Sequence, residues 1–400
     1  MVQGLYRELK IRSYDGEKDR ARVEELERGC EIVGPADRVF LYTDTLGDPI
    51  CRIRNSPSFY MLVAESGNEL VGVIQGSIKL VTMARPRGNL GLARVGYILG
   101  LRVSPHHRRQ GIGSRLVRSL ERWFVSNHVE FAYMATDKEN KASIKLFVDS
   151  LGYVKFRTPT ILVNPVSPNR ALHLPSHVEI KKLGTKEAEL LYRKFMSSAE
   201  FFPNDIDNIL ENRLSLGTWV AYYKGEAWED IRYEGVSTGS EYWQGPRDWA
   251  MVSVWNSAEV FKLRVQGRAP LSCLIYAKSC RLMDRFFPCF KIPAIPDFAD
   301  PFGFYFMYGV HCEGKSSAQL VRTLCQFVRN MARKSKDCKL VVTEIGARDE
   351  VRLHIPHWKL LSSPEDFWCI KAFNNEEPSS LHEIAMSPPT RALFVDPREV

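Results

Sequence analysis

Residues Leu101 to Leu116 read Leu-Arg-Val-Ser-Pro-His-His-Arg-Arg-Gln-Gly-Ile-Gly-Ser-Arg-Leu. The apolar run Tyr97 to Val103 predicts a strand, Pro105 stops it, and Gly111 to about Phe124 carries the periodicity of an amphipathic helix. Between them Arg108, Arg109, Gln110, Gly111, Ile112, Gly113 and Ser114 make a basic, glycine-bearing loop that opens the helix. Such a loop suits a pyrophosphate. Glycine lets backbone N–H groups approach anionic oxygens, the helix N-terminus adds partial positive charge, and two arginines add countercharge.

A second block follows at a suitable distance. Phe131 to Thr136 predicts a short strand, and after it come Asn140, Ala142, Ser143, Ile144, Leu146 and Phe147, ending in Leu151-Gly152-Tyr153. The two ordered blocks together resemble the acetyl-CoA-binding core of the GNAT (GCN5-related) N-acetyltransferases. Leu46 to Arg54, Val95 to Pro105, Phe156 to Pro159 and Phe394 to Glu399 are similar to the plant hookless-type probable N-acetyltransferases, so the resemblance spans nearly the whole chain.

That resemblance implies a mixed α/β GNAT acyl-CoA N-acyltransferase fold, with acetyl-CoA as co-substrate and an amine as acceptor, most simply a lysine of a nuclear protein such as a histone. It also implies a place in hormone-controlled plant growth. By position, the backbone of Leu101, Arg102 and Val103 would polarise the thioester carbonyl. Residues 108 to 114 would hold the pyrophosphate, with Asn140, Ser143 and Phe147 completing the cofactor site.

Acyl transfer to an amine also needs a proton acceptor, because protein amines are mostly ammonium at neutral pH. In histone-type GNATs a glutamate stands fourteen positions before the first loop glycine, and here Tyr97 stands there. Where many members carry a tyrosine that protonates the leaving thiolate, this chain has Phe147. Asp137, at the end of the second strand, and Asp44 and Asp48, in the usual acceptor wall, are replacement carboxylates; each also reads as a turn or cap residue. Tyr97 and Asp137 are the candidate catalytic residues. Two functions of different class stay open: an N-acetyltransferase, or a catalytically weak acetyl-CoA-binding regulator.

The chain has 400 residues, which predicts two domains, and its 44% hydrophobic and 26% charged content is that of a globular protein. The net charge of +8 is mild over this length, and no aromatic-interleaved basic stripe is present, so direct nucleic-acid binding is not expected. Nine scattered cysteines without a C-x-x-C pair read as reduced, intracellular thiols. No apolar run is long enough to cross a bilayer, which leaves cytosol or nucleus; the Arg85-Pro86-Arg87 cluster is too short to choose between them.

Residues 1–163 form the expected acetyl-CoA-binding domain, 164–176 a Pro-rich linker, and 177–400 a second, degenerate GNAT-like domain. The second half repeats the order strand, loop, helix, strand in Gly303 to Val310, Ala318 to Lys334 and Leu340 to Glu344, with further strands expected at Trp358 to Leu361 and Phe367 to Phe373. Its loop Gly309-Val-His-Cys-Glu-Gly-Lys-Ser316 matches the P-loop pattern, but no clear strand ending in a magnesium-binding Asp follows, and it reads as a relic of the CoA loop. His354 and His357 lack further metal ligands, and Asp205 and Asp207 lack the rest of a calcium loop, so no metal site is expected.

Overall fold

The computed structural model describes residues 9–31, 40–84, 90–167, 171–228, 245–266, 298, 300–359, 361–362, 366–373, 385 and 392–400. The 85–87 basic cluster, Cys273, Cys280 and Cys289 lie outside these residues. Fifteen strands and six α-helices are described.

Alternating apolar residues build the first sheet. It contains β1 (Leu9–Ser13), β3 (Ser58–Ser66), β4 (Glu69–Ala84), β5 (Leu90–Val103), β6 (Phe131–Asp137) and β7 (Val154–Arg157), with β15 (Asp366–Ala372) inserted near one edge. The order is β1-β3-β4-β5-β6-β15-β7. All neighbours are antiparallel except β5 and β6, which run parallel. A parallel pair needs a crossover, and α2 (Ile112–Ser126) supplies it. Its apolar stripe of Ile112, Leu116, Val117, Leu120 and Phe124 packs on one face of the sheet. The helix α1 (Gly16–Glu31) places Val23 and Leu26 in the core on the other face.

The second sheet has the order β8-β14-β13-β11-β10-β9, from β8 (Thr160–Pro165), β14 (Cys338–Ile345), β13 (Gly303–Glu313), β11 (Trp249–Asn256), β10 (Ser215–Tyr223) and β9 (Val178–Lys182). Its parallel pair is β13 and β14, joined through α6 (Ser317–Ala332). Each sheet is therefore a meander of antiparallel strands ending in one parallel strand behind a crossover helix. The repeat inferred from element order is present: the molecule holds two GNAT-like units. A two-stranded ribbon pairs β12 (Lys262–Gln266) with β2 (Phe40–Asp44), one strand from each half.

The units exchange strands. Beyond the parallel strand β6 lies β15 of the second half, and beyond the parallel strand β14 lies β8 of the first. The sheets cross the expected division at residue 163 in both directions. Asn164 and Pro165, placed in the linker, end β8 opposite Val341 and Leu340. At the expected strand Trp358 to Leu361 the Leu361 N–H instead bonds to the Trp358 carbonyl at 3.0 Å. Trp358 donates its own N–H to Val163, an arrangement that periodicity cannot reveal.

Backbone bonds also cross between the halves. Thr82 and Phe202 are joined by a 2.9 Å bond, Phe201 donates to Thr82 at 2.8 Å, and Asn204 donates to Leu80 at 2.9 Å. Beside them Arg157, at the end of β7, forks onto Glu200 with two bonds of 2.7 and 2.6 Å, both side chains at most 5% exposed. Removing one partner of such a pair strands a buried charge, at about 3–5 kcal/mol. Arg157→Ala should therefore lower the urea midpoint steeply, and the double variant Arg157→Met/Glu200→Leu should recover most of the loss. Equal destabilisation by the single and double variants would refute this account.

Candidate active site

The loop singled out in the sequence lies between a short 3₁₀ turn at Pro105–His107 and α2. Gly111 is the N-cap of α2 at φ +77°, a left-handed conformation that suits glycine, and open space surrounds the place of its absent Cβ. The first intrahelical bond runs from the Arg115 N–H to the Gly111 carbonyl. Ile112, Gly113 and Ser114 therefore begin the helix with N–H groups that have no partner within it. Arg108, Arg109 and Gln110 are exposed around this mouth, and the Arg108 guanidinium rests on the Val103 carbonyl at 3.3 Å. One unscreened anion-binding end, two arginines and a glycine turn are thus brought together.

Above the loop the sheet splits. β5 and β6 pair from Val95 opposite Phe131 to Ile98 opposite Met134, and both strands then run on unpaired with one another, to Val103 and Asp137. The β4–β5 register shifts between Val73 and Gln75, opposite Gly100, which bends β5 away. The backbone of Leu101, Arg102 and Val103 borders this opening. Extended chain with free N–H groups can hold a thioester arm and polarise its carbonyl.

The sides of the split are aromatic and acidic. Tyr97 packs on Tyr133 with ring centroids 4.8 Å apart, and Tyr133 packs on Trp368 at 5.2 Å. Burial pushes both tyrosine hydroxyls above their ordinary pKa, with the charge of Glu399 adding to it, so neither is a base near neutrality. The Tyr133 hydroxyl donates to Glu399 Oε2 at 2.5 Å, and Lys79 Nζ sits 2.8 Å from the other oxygen. Tyr97, at 9% exposure, has no hydrogen-bond partner for its hydroxyl among the described residues.

Three carboxylates from the far end of the chain surround these rings: Glu344 on β14, Asp366 on β15 and Glu399. Glu344 accepts from Trp368 Nε1 at 3.1 Å, and burial, helped by the charges of Asp366 and Glu399, pushes it up to about 8. Burial and the neighbouring Asp137 push Asp366 up to about 6. Nothing in the local sequence around 97–147 points to Glu344 or Asp366. Their signal is the pairing of β15 with β6, in which Asp366 faces Asp137 and Trp368 faces Ala135.

The remaining sequence candidates separate. Asp137 is exposed and caps Glu139 at 2.7 Å. Asp44 binds Arg264 at 2.8 Å, and Asp48 pairs with Arg54. Asp205 receives Arg398 at 2.6 Å. Asn140 caps α3 (Lys141–Ile144), its Oδ1 accepting the Ser143 N–H at 3.1 Å.

Phe147 lies apart from the split, on the helix side of the sheet, 2% exposed and edge-on to Tyr153 at 5.1 Å. The helix α3 continues as a π-helical turn, Lys145–Ser150. A π turn takes up one residue more than an α turn, and Phe147 is the buried residue of this one. Phe147→Tyr should accordingly leave acetyl-transfer rates unchanged while burying an unmatched hydroxyl at about 1–3 kcal/mol. Acceleration by this variant would return the ring to the site.

The corresponding loop of the second half is built differently. Residues 311–313, which a P-loop would need as loop, are strand paired to Met251, Ala250 and Trp249. Gly314 (φ +93°) lies so close to Asp248 that a Cβ there would meet its carboxylate at 2.4 Å. Asp248 Oδ1 accepts the Ser316 N–H at 2.6 Å, so this helix start already holds an anion of the chain's own. The expected stoichiometry by calorimetry is one CoA per chain, with no magnesium-dependent ATP binding; a second equivalent of CoA would overturn this. Among the described residues no three His, Cys, Asp or Glu side chains come together as metal ligands, and no helix is long and apolar enough to cross a membrane.

The split parallel pair over a glycine-arginine loop defines a GNAT acetyltransferase, and residues 21–153 match the model of the acetyltransferase (GNAT) family. The chain belongs to the family of the Arabidopsis thaliana probable N-acetyltransferase HLS1, with 44% identity over 97% of this chain and 99% of that protein. It is 34% identical to the acetyl transferase GW6a of Oryza sativa subsp. japonica, over 98% of this chain and 97% of that one. Among solved structures, a tandem GNAT protein of the clavulanic acid pathway aligns over 91% of this chain and 98% of its own at TM-score 0.50 and 12% identity. Saccharomyces cerevisiae N-myristoyltransferase with bound myristoyl-CoA aligns over 96% and 84% at TM-score 0.54 and 9% identity. These two share the fold. The chain is a probable N-acetyltransferase, and acetyl-CoA is its co-substrate.

Proposed function

We propose that this protein transfers acetyl from acetyl-CoA to the side-chain amine of a lysine in a protein acceptor, in the nucleus or cytosol, as part of growth and hormone-response control in a plant. The observation that carries this reading is the opening between β5 and β6, flanked on one side by the anion-binding loop and on the other by ionisable carboxylates. A pure binding module would have no use for carboxylates held near neutrality.

Acetyl-CoA supplies the activated acyl group. The N–H groups of Ile112, Gly113 and Ser114, with Arg108 and Arg109, would hold its pyrophosphate, and the backbone of Leu101 to Val103 would orient the thioester carbonyl. Near the end of the paired stretch Tyr97 and Tyr133 of one unit pack beside Trp368 and Glu344 of the other, so both halves contribute to this region. Relatives from Arabidopsis thaliana and Oryza sativa subsp. japonica support the plant setting.

Gly113→Glu puts bulk and negative charge at the helix start. Its Cβ would lie 3.5 Å from Leu146, in ordinary contact, so the fold should tolerate it. Acetyl-CoA affinity by calorimetry should fall at least 100-fold with little change in the melting temperature, and acetylation of a lysine-containing peptide pool, read by thiol release, should stop. Unchanged affinity would sink the pyrophosphate assignment. Active thiol release without acetylated lysine would sink the acceptor class.

A further inference from the structure

The half that lacks an open CoA loop still meets the active site. Glu344 is next to last in β14, opposite Ile161 at the point where the chain passes from the first sheet to the second. It is half-buried, and its hydrogen bond to Trp368 ties it to the exchanged strand β15. Trp368 in turn is the third ring of the row that begins at Tyr97. Tyr97 is a buried residue whose hydroxyl lies within the field of Glu399, Glu344 and Asp366.

Resting on the acetyl-transfer reading, we infer that Glu344, contributed by the second GNAT-like unit, takes the proton from the acceptor amine in place of the glutamate that Tyr97 replaces. The acceptor enters as the neutral amine, its ammonium proton having passed to water; its nitrogen forms a bond to the thioester carbonyl carbon, and one proton passes from that nitrogen to the Glu344 carboxylate. The C–S bond then breaks, and its electron pair leaves with sulfur as the CoA thiolate. Charge balances, because one proton is moved and one thiolate is made. Trp368 positions the acceptor: its N–H fixes one carboxylate oxygen and leaves the other for the amine.

Three groups facing Glu344 set its titration. Asp366 on β15 and Glu399 in the C-terminal segment oppose its ionisation, and the Trp368 N–H favours it. A base works when deprotonated, so kcat should rise as pH rises through about 8 and then flatten. The Trp368 donor lowers that value, so Trp368→Phe should move the rise to higher pH.

The test is steady-state acetylation of a lysine-containing peptide pool by the full-length protein, from pH 6 to about 9.5. Glu344→Gln keeps an oxygen for Trp368 and should lower kcat by about 10²- to 10⁴-fold while leaving acetyl-CoA affinity within twofold. It should also abolish the rise near 8. Glu344→Asp should retain part of the rate and keep the rise. A Glu344→Gln variant with wild-type kcat, or with the rise intact, would overturn the inference while leaving the acetyl-transfer reading standing. A fall in kcat matched by a fall in acetyl-CoA affinity would also overturn it, since that marks a structural role. Should Glu344→Gln not fold, Trp368→Phe decides: an unmoved rise overturns the inference. Wild-type protein that acetylates no member of the pool would overturn the acceptor class and this inference together.

Discussion

The seven residues of β15 hydrogen-bond to β6 on one side and to β7 on the other, and the first sheet is continuous because of them. Backbone N–H and C=O groups in a sheet interior must be paired, so β6 cannot be an internal strand without a neighbour, and its neighbour is delivered from more than two hundred residues downstream. The same demand at β14 is met by β8 of the first half. Each unit closes the other's sheet. This mutual dependence fixes the approach of the halves, and with it the position of every second-half residue at the active site.

The first unit was legible in the sequence because its chemistry is local. Gly111 and Gly113 between a strand and a helix specify a backbone geometry within one turn, and alternation in Tyr60 to Ala64 and Leu70 to Leu80 reads as a hairpin turning at Glu65 to Asn68, where the structure has β3 and β4 run on to Ser66 and from Glu69. Strand membership was not legible. Phe367 to Phe373 has the composition of a buried strand in either sheet, and nothing in a period of two says which partner it will meet. For the same reason Trp368 reads as ordinary core, while its indole N–H and ring join Glu344 to Tyr133. Phe147 failed for a different cause, since it is the buried residue of a π turn, which takes up one residue more than an α turn.

Comparison of the two helix starts shows how one fold separates into a binding unit and a supporting one. In the first, Gly111 opens on empty space, and exposed Arg108 and Arg109 stand around it. In the second, the Asp248 carboxylate supplies the negative charge that this end of a helix favours, at 2.6 Å from the Ser316 N–H. A carboxylate built into the chain competes at an effective concentration that no free pyrophosphate reaches. What the second unit retains is its outline: a sheet of the same order, whose β14 brings Glu344 beside the first unit's split.

The carboxylates around that split divide by their partners. Glu200 is held by Arg157, Asp396 by Arg398 and Lys79, and Glu65, on the far side of α1, by Arg12 and Arg22, which keep it down at about 2. Guanidinium and ammonium partners favour the charged form of Asp396 and Glu65, and all three acids act as fasteners between elements. Glu344 and Asp366 have no such cation among the described residues. Burial raises both, with the charges of Asp366 and Glu399 adding to it at Glu344 against the Trp368 N–H, and the charge of Asp137 adding to it at Asp366. Unfolding would return both to their ordinary range, so each costs stability above that range. The cost grows as pH rises toward the raised folded value and then levels off. A packed interior that could have supplied an arginine here, as it does at Arg157 and Arg398, instead holds two carboxylates in a state where a proton can be gained or lost.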